Sequence, residues 1–163
     1  MAKPRTSNST AEKQPEQAIP LQVGALTPEQ ITAVFNHLPL DVTFVDEGND
    51  VRFFSSPKGR IFERTPDVIG RNVMNCHHPD SVQLVFKILE DFRAGTRDEA
   101  EFWIQTQPQE QESQFIHIRF FAVRNPQGKF LGTLEVAQNV TDIRKLQGER
   151  RLLDEVEPDA QTP

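Results

Sequence analysis

Cys76, His77 and His78, followed by Pro79, form the one dense run of metal-capable side chains in the sequence. A thiolate or an imidazole here is a ligand for haem iron, and polarity around the iron would decide gas binding against electron transfer. Two arguments oppose a metal centre: adjacent residues seldom point at one ion, and no distant fourth ligand is evident. The alternative is a loop leading into a helix, with exposed imidazoles and one packed thiol, since a free cysteine commonly behaves as a small buried hydrophobe. Cys76 is the only cysteine, so no intramolecular disulfide and no all-cysteine zinc site forms, which fits a reducing cytoplasm. His117 is a further candidate cofactor-binding residue. It falls in a strand on the face opposite Ile116 and Ile118, where it either lines a pocket or meets solvent, and an imidazole with its ordinary pKa of about 6.5 is a switch near neutrality. His37, at a helix end, faces the terminal carbonyls and is assigned no chemistry.

Other chemistries find no foothold. The sequence holds no Gly-rich phosphate loop, no Ser-His-Asp arrangement on recognisable turns and no His-Glu-x-x-His helix. Glu99 and Glu101 fall on one face of a strand, where a solvated surface is the expected setting rather than acid and base work. The chain is therefore expected not to be an enzyme. Its 18 Lys and Arg against 24 Asp and Glu give a formal charge of −6, which supplies no general field for phosphates and argues against nucleic acid as a partner. No run of about 18 apolar residues exists, so no membrane span is expected, and the N-terminal stretch lacks the apolar core of an export signal. A cytoplasmic location is the resulting expectation.

These residues need a scaffold, and 163 residues suggest one domain with material to spare. Residues 1–23 are rich in Ser, Thr, Gln, Pro and Lys, with almost nothing to bury, and are expected to be a disordered arm. Thr27, Pro28 and Gln30 then suit the N-cap, first helical position and third position of a capping box, with Leu26 and Ile31 placed as a hydrophobic staple. Ile31, Val34, Phe35 and Leu38 recur at helical spacing up to Pro39. Residues 41–45 and 51–54 read as a hairpin around Asp46-Glu47-Gly48-Asn49-Asp50. An irregular stretch follows to Cys76, with helical fragments expected at 60–64 and 66–69. A longer helix over about 79–94 buries Val82, Val85, Phe86, Leu89 and Phe92 and stops at Gly95. Strands are expected at 99–106, 114–124 and 129–140, the middle one alternating with Ile116, Ile118, Phe120 and Ala122 on one face. Thr141 caps a last helix over 141–155 that carries Ile143, Leu146 and Leu153, with Gly148 weakening its centre, and 156–163 fray.

Strands separated by a helical block imply an antiparallel α+β domain rather than a doubly wound one. The order is also that of the PAS fold, and particular segments carry the resemblance. Phe35 to Asp46 resembles the stretch in which a PAS helix ends at a proline turn and feeds the first strand. Pro66 to Val73 resembles the segment before the long helix. Gly128 to Thr133, followed by Asn139-Val140-Thr141-Asp142-Ile143, resembles the last strand and its exit, with Asn139-Val140-Thr141 replacing the usual Asp-Ile-Thr. More narrowly, the Asn-Cys-His segment and the Arg-Leu-Leu tail are similar to the PAS module that ends a family of poorly characterised bacterial and archaeal proteins. The resemblance spans about residues 26–150.

It implies a PAS domain over 24–140: a five-stranded antiparallel sheet with helices on one face, plus flanking N-terminal and C-terminal helices. It also implies a stand-alone sensory module that binds a small-molecule ligand or a partner protein, forms a homodimer and signals through its terminal helices to a downstream protein. Phe44, Val73, Phe86, Phe102, Ile104, Ile118, Phe120 and Leu134 are the expected pocket residues. Trp103 and the phenylalanines, Phe121 among them, either wall such a cavity or fill a solid core. In oxygen-sensing haem PAS domains the ligand histidine lies about two turns into the long helix, and the matching stretch 85–88 has none. Haem through His77 or His78 in another geometry stays open. The flavin-binding branch places its reactive cysteine where Val73 stands, so no covalent photoadduct is expected. The competing classes are a haem-dependent redox or gas sensor and a small enzyme on a cone-shaped α+β fold, the latter without a convergent acid or base in this sequence.

Overall fold

The computed structural model describes residues 17–76, 79–106 and 113–152, without the side chains of Cys76, Pro79 and Asp80. Strands β1 (Ile19–Pro20) and β2 (Ala25–Leu26) pair antiparallel, and the Leu21 N–H donates to the Gly24 carbonyl. The arm expected to lack structure through residue 23 is thus ordered from Ile19 onward. A two-residue ladder suffices, although Ile19 and Leu21 stay exposed.

Helix α1 (Pro28–His37) begins with the expected reciprocal cap: the Gln30 N–H donates to Thr27 Oγ1, and the Thr27 N–H donates to Gln30 Oε1. Its apolar stripe is less buried than its spacing suggests. No residue of α1 is fully buried and Val34 is half exposed, while Phe35 packs on Phe53 with ring centroids 5.0 Å apart.

The main sheet comprises β3 (Asp41–Asp46), β4 (Val51–Phe54), β5 (Glu99–Thr106), β6 (Gln114–Arg124) and β7 (Phe130–Asn139), in the order β4-β3-β7-β6-β5 and antiparallel throughout. The last strand of the chain thereby lies between β3 and β6, which joins the two hairpins into one sheet. The outer edge of β4 is covered by a pass of the chain: the Gly70 N–H donates to the Val51 carbonyl and the Val51 N–H to the Arg71 carbonyl.

Between β4 and the long helix the chain makes short 3-10 turns at Pro66–Val68 and Val73–Cys76. The fragment expected at 60–64 is not helical, because this stretch spends its polar groups on the sheet, as described below. Helix α2 (Pro79–Ala94) buries Val85, Leu89 and Phe92. Phe86, also expected inside, is 45% exposed: one residue advances the helix by about 100°, which carries Phe86 past the edge of the stripe that Val85, Leu89 and Phe92 share. Two packed clusters result. Phe92, Ala100, Ile116, Ile118, Phe120, Phe130 and Ala137 form one, and Val45, Val51, Val73, Val85 and Leu89 the other.

After β7 the expected helix over 141–155 is, among the described residues, a single 3-10 turn at Ile143–Lys145. Thr141 does not cap it. Its hydroxyl accepts the Phe115 N–H at 2.9 Å and donates to Asn139 Oδ1, fastening the exit of β7 to β6. Gly148 follows with φ +67°, a left-handed conformation that stops a helix.

The β3–β4 turn supplies a pH prediction. Asp46 Oδ1 accepts the N–H groups of Gly48 and Asp50, and Oδ2 accepts from Arg52, while Asn49 takes the left-handed conformation at φ 69°. Burial opposes ionisation of Asp46, but the Arg52 guanidinium and the two amides outweigh it and hold the carboxyl below its ordinary 3.8. A depressed folded-state pKa stabilises the turn fully above the unfolded value, and the contribution is lost as pH falls through the folded one. Between about pH 5 and about pH 3 the urea midpoint of the wild type should therefore fall further than that of Asp46→Asn. Parallel pH curves for the two proteins would exclude this role.

Candidate functional site

Strand alternation and register fix which side chains meet inside the domain. On the inner face, Thr43, Glu135, Phe120 and Ala100 form one cross-strand row and Asp41, Ala137, Ile118 and Phe102 the next. Most of these are apolar. Asp41 and Glu135 are charged, and each is nearly buried, with side-chain exposures of 5% and 17%.

Each carboxylate receives an arginine from the segment that crosses above it. Asp41 Oδ2 accepts the N–H groups of Ile61 at 2.9 Å and Phe62 at 3.0 Å and lies 3.7 Å from Arg60 Nε. Arg60 is fully engaged: Nε donates to the Phe62 carbonyl, Nη1 to the Ser55 carbonyl and Nη2 to Thr43 Oγ1, with the guanidinium 5.3 Å from the centre of the Phe54 ring. Burial pushes its pKa down and Asp41 opposes that. Ser55, itself fully buried, exchanges hydrogen bonds with the backbone of Val42. The stretch from Ser55 to Arg64 is thus held to the sheet by polar anchors rather than by its own secondary structure. Arg64 follows and reaches Glu135, Nη2 to Oε2, at 3.1 Å.

Beneath Arg64 the two elements stand apart. A cavity of about 610 Å³ opens between the inner face and α2, lined by Phe102, Ile104, Ile118 and Phe120 from the sheet, Ser81 and Val85 from the helix, and Phe62, Glu63, Arg64 and Glu135 at its polar end. This volume lies within the range of small-molecule sites, about 300–1,000 Å³, and the mixture of apolar walls with a few polar groups is also theirs.

Four of the expected pocket residues, Phe102, Ile104, Ile118 and Phe120, come together here. The other four do not. Val73 is packed in the Val45, Val85 and Leu89 cluster, and Phe86 points away from the sheet. Phe44 and Leu134 pair with one another across β3 and β7 but lie on the outer face, one residue out of phase with Thr43 and Glu135. His117 is on the outer face as well, where its Nε2 lies 2.6 Å from Glu101 Oε1, so the sheet separates it from the cavity. Trp103, its register partner, is 61% exposed. His37 Nδ1 lies 2.7 Å from the Ala33 carbonyl, as its place at the helix end suggests. His77 and His78 lie outside the described residues, as does the side chain of Cys76. Among the described residues no group of three or more His, Cys, Asp or Glu is placed to hold a metal ion, and no helix is long and apolar enough to cross a membrane.

A family model described as a PAS domain matches residues 31–141, the span from α1 to the end of the sheet. The chain belongs to the PAS family. PAS domains are typically sensory, non-enzymatic modules. A C-terminal domain from Streptococcus mutans is 33% identical over 81% of this chain and 98% of its own, with a TM-score of 0.73. The PAS domain of BvgS from Bordetella pertussis is 14% identical, covering 72% of this chain and 91% of its own at a TM-score of 0.54. A PAS domain from Colwellia psychrerythraea is 11% identical, covering 70% and 97% at 0.52. The last two share the fold alone. No curated protein matches the chain. The expected α+β class, PAS fold and five-stranded antiparallel sheet are those of the structure, with the C-terminal helix, among the described residues, reduced to one turn.

Proposed function

We propose that this PAS domain is a small-ligand sensor: a molecule in the inner-face cavity reorders the Ser55 to Arg64 roof and α2, and the shift passes through the terminal segments to a partner chain. The cavity carries the reading. It lies between the sheet and a roof held by a handful of polar contacts, so an occupant that favours one roof position changes the balance of two states, as any ligand-driven switch requires. Beyond the sheet, Ile143 and Leu146 are exposed, apolar side chains that suit association with a second copy. We place the module in the cytoplasm as a homodimer that hands its signal to a downstream protein.

The test is nuclear magnetic resonance with naphthalene as an apolar probe, alongside a native mass spectrum of the freshly purified protein. Naphthalene should shift amide signals of β5, β6, α2 and the roof. Ile104→Trp, which fills the cavity from the edge strand, should abolish those shifts. The native spectrum should show two subunits, with any retained compound adding its mass. Naphthalene shifts that are absent, or that persist undiminished in Ile104→Trp, would rule out a ligand site here, and a single subunit would rule out the dimer.

A further inference from the structure

The polar end of the cavity narrows the class of ligand. Arg60 and Arg64 sit four residues apart on the same roof, yet their situations differ. Every nitrogen of Arg60 has an acceptor. Arg64, whose side chain is 12% exposed, makes one hydrogen bond, from Nη2 to Glu135, and its Nε is buried with no acceptor. The other buried side-chain atom without a partner among the described residues is Thr133 Oγ1, which does not line the cavity. A guanidinium offers five N–H groups, and a nearly buried one with a single acceptor is costly to maintain. Glu135 mirrors it: Oε2 takes the Arg64 bond, and Oε1 accepts none from the described residues. Nε is closed off from the cavity, so the polar end offers a ligand the terminal nitrogens of a guanidinium short of acceptors, beside a carboxylate with an oxygen that accepts nothing from the described residues.

Charge decides what fits them. Among the described residues the lining carries one cation, Arg64, and two carboxylates, Glu63 and Glu135. An anion could satisfy Arg64, but only by approaching Glu135, which is already bound to it. A cation could approach Glu135 but brings Arg64 no acceptor. A neutral group with an acceptor and a donor side by side satisfies both and leaves the ion pair intact. Its body must be apolar, to lie against Phe102, Ile104, Ile118 and Phe120.

We propose that the cavity takes a small, neutral, planar molecule of the lactam or carboxamide type, its carbonyl accepting from Arg64 and its N–H donating to Glu135. This rests on the ligand-sensor reading above and deepens it.

Binding of three bicyclic probes tests it: quinolin-2(1H)-one, with carbonyl and N–H adjacent; 1-methylquinolin-2-one, with the donor blocked; and 2-naphthoate, an anion of similar shape. The wild type should bind quinolin-2(1H)-one about tenfold more tightly than either of the others, as expected for one bond to a charged group. The double variant Arg64→Met with Glu135→Leu removes both charges together, leaving no orphaned ion. It should retain naphthalene and lose the preference, to within about twofold. Arg64→Lys keeps the charge but not the planar fork, and should weaken quinolin-2(1H)-one selectively. Equal or tighter binding of 2-naphthoate, equal binding of all three, or a preference that survives in both variants overturns the proposal while the naphthalene result leaves the sensor reading standing. If naphthalene also fails to bind, the sensor reading itself is lost.

Discussion

Gly132→Ala should destabilise the domain by on the order of 3 kcal/mol, read as a lower urea midpoint with an unchanged slope. Gly132 lies in β7 opposite Asp46 of β3, with φ +150°. A Cβ built there would stand 2.1 Å from the Val45 carbonyl oxygen, 2.8 Å from Phe44 Cζ and 3.0 Å from Asp46 Cα. Two of those three neighbours are backbone atoms of the adjacent strand, so relief requires parting β3 from β7 rather than turning a side chain. β7 joins the two hairpins, and the whole sheet feels the separation. Gly128→Ala is the comparison: its φ of +82° is also positive, but nothing lies within 4 Å of the new Cβ, so only the left-handed backbone cost of about 1–2 kcal/mol applies. Should the two variants unfold at the same midpoint, close approach at Gly132 is not what holds that position.

The alternation in β6 was readable because one face of that strand is apolar from Ile116 to Ala122: Ile116, Ile118, Phe120 and Ala122 point to the same core. The same logic, carried no further than type, misplaced Phe44 and Leu134. Both are large and apolar, yet each is one step out of phase with its strand's inner residues, and the outer face also holds hydrophobic side chains such as Phe53 against α1. Phase, not hydrophobicity, decides the side of a strand. Phe86 failed for the helical version of that reason.

The charged end of the cavity was missed for a different cause. Asp41 and Glu135 occupy inner positions by parity alone, and a carboxylate at an apolar phase is a signal that a partner must be near. What the sequence does not disclose is the partner. Arg60 and Arg64 belong to a stretch with no periodicity, whose path is set by bonds to the sheet rather than by any local preference. Cys76, His77 and His78 stand out in the sequence because they are neighbours. The polar groups described around the cavity come from β7, α2 and the roof, and only the fold brings them together.

Asp41→Ala tests that roof most directly and should cost about 3–5 kcal/mol. The substitution removes the shared acceptor of the Ile61 and Phe62 N–H groups and leaves Arg60, with only 10% of its side chain exposed, without its carboxylate. Asp41→Asn keeps an oxygen for the amides while losing the charge, so its loss should be smaller. The two variants separate anchoring from charge balance. Hydrogen exchange gives the local readout: in Asp41→Ala the amides of Ile61 and Phe62 should lose protection beyond the global change, since a roof freed at that point opens without unfolding the sheet. Arg64 lies two residues past Phe62, so the same opening withdraws it from Glu135, and probes that depend on the polar end should weaken before naphthalene does. A destabilisation below about 1 kcal/mol with both amides still protected would mean that the roof is held by its apolar contacts through Ile61 and Phe62 instead.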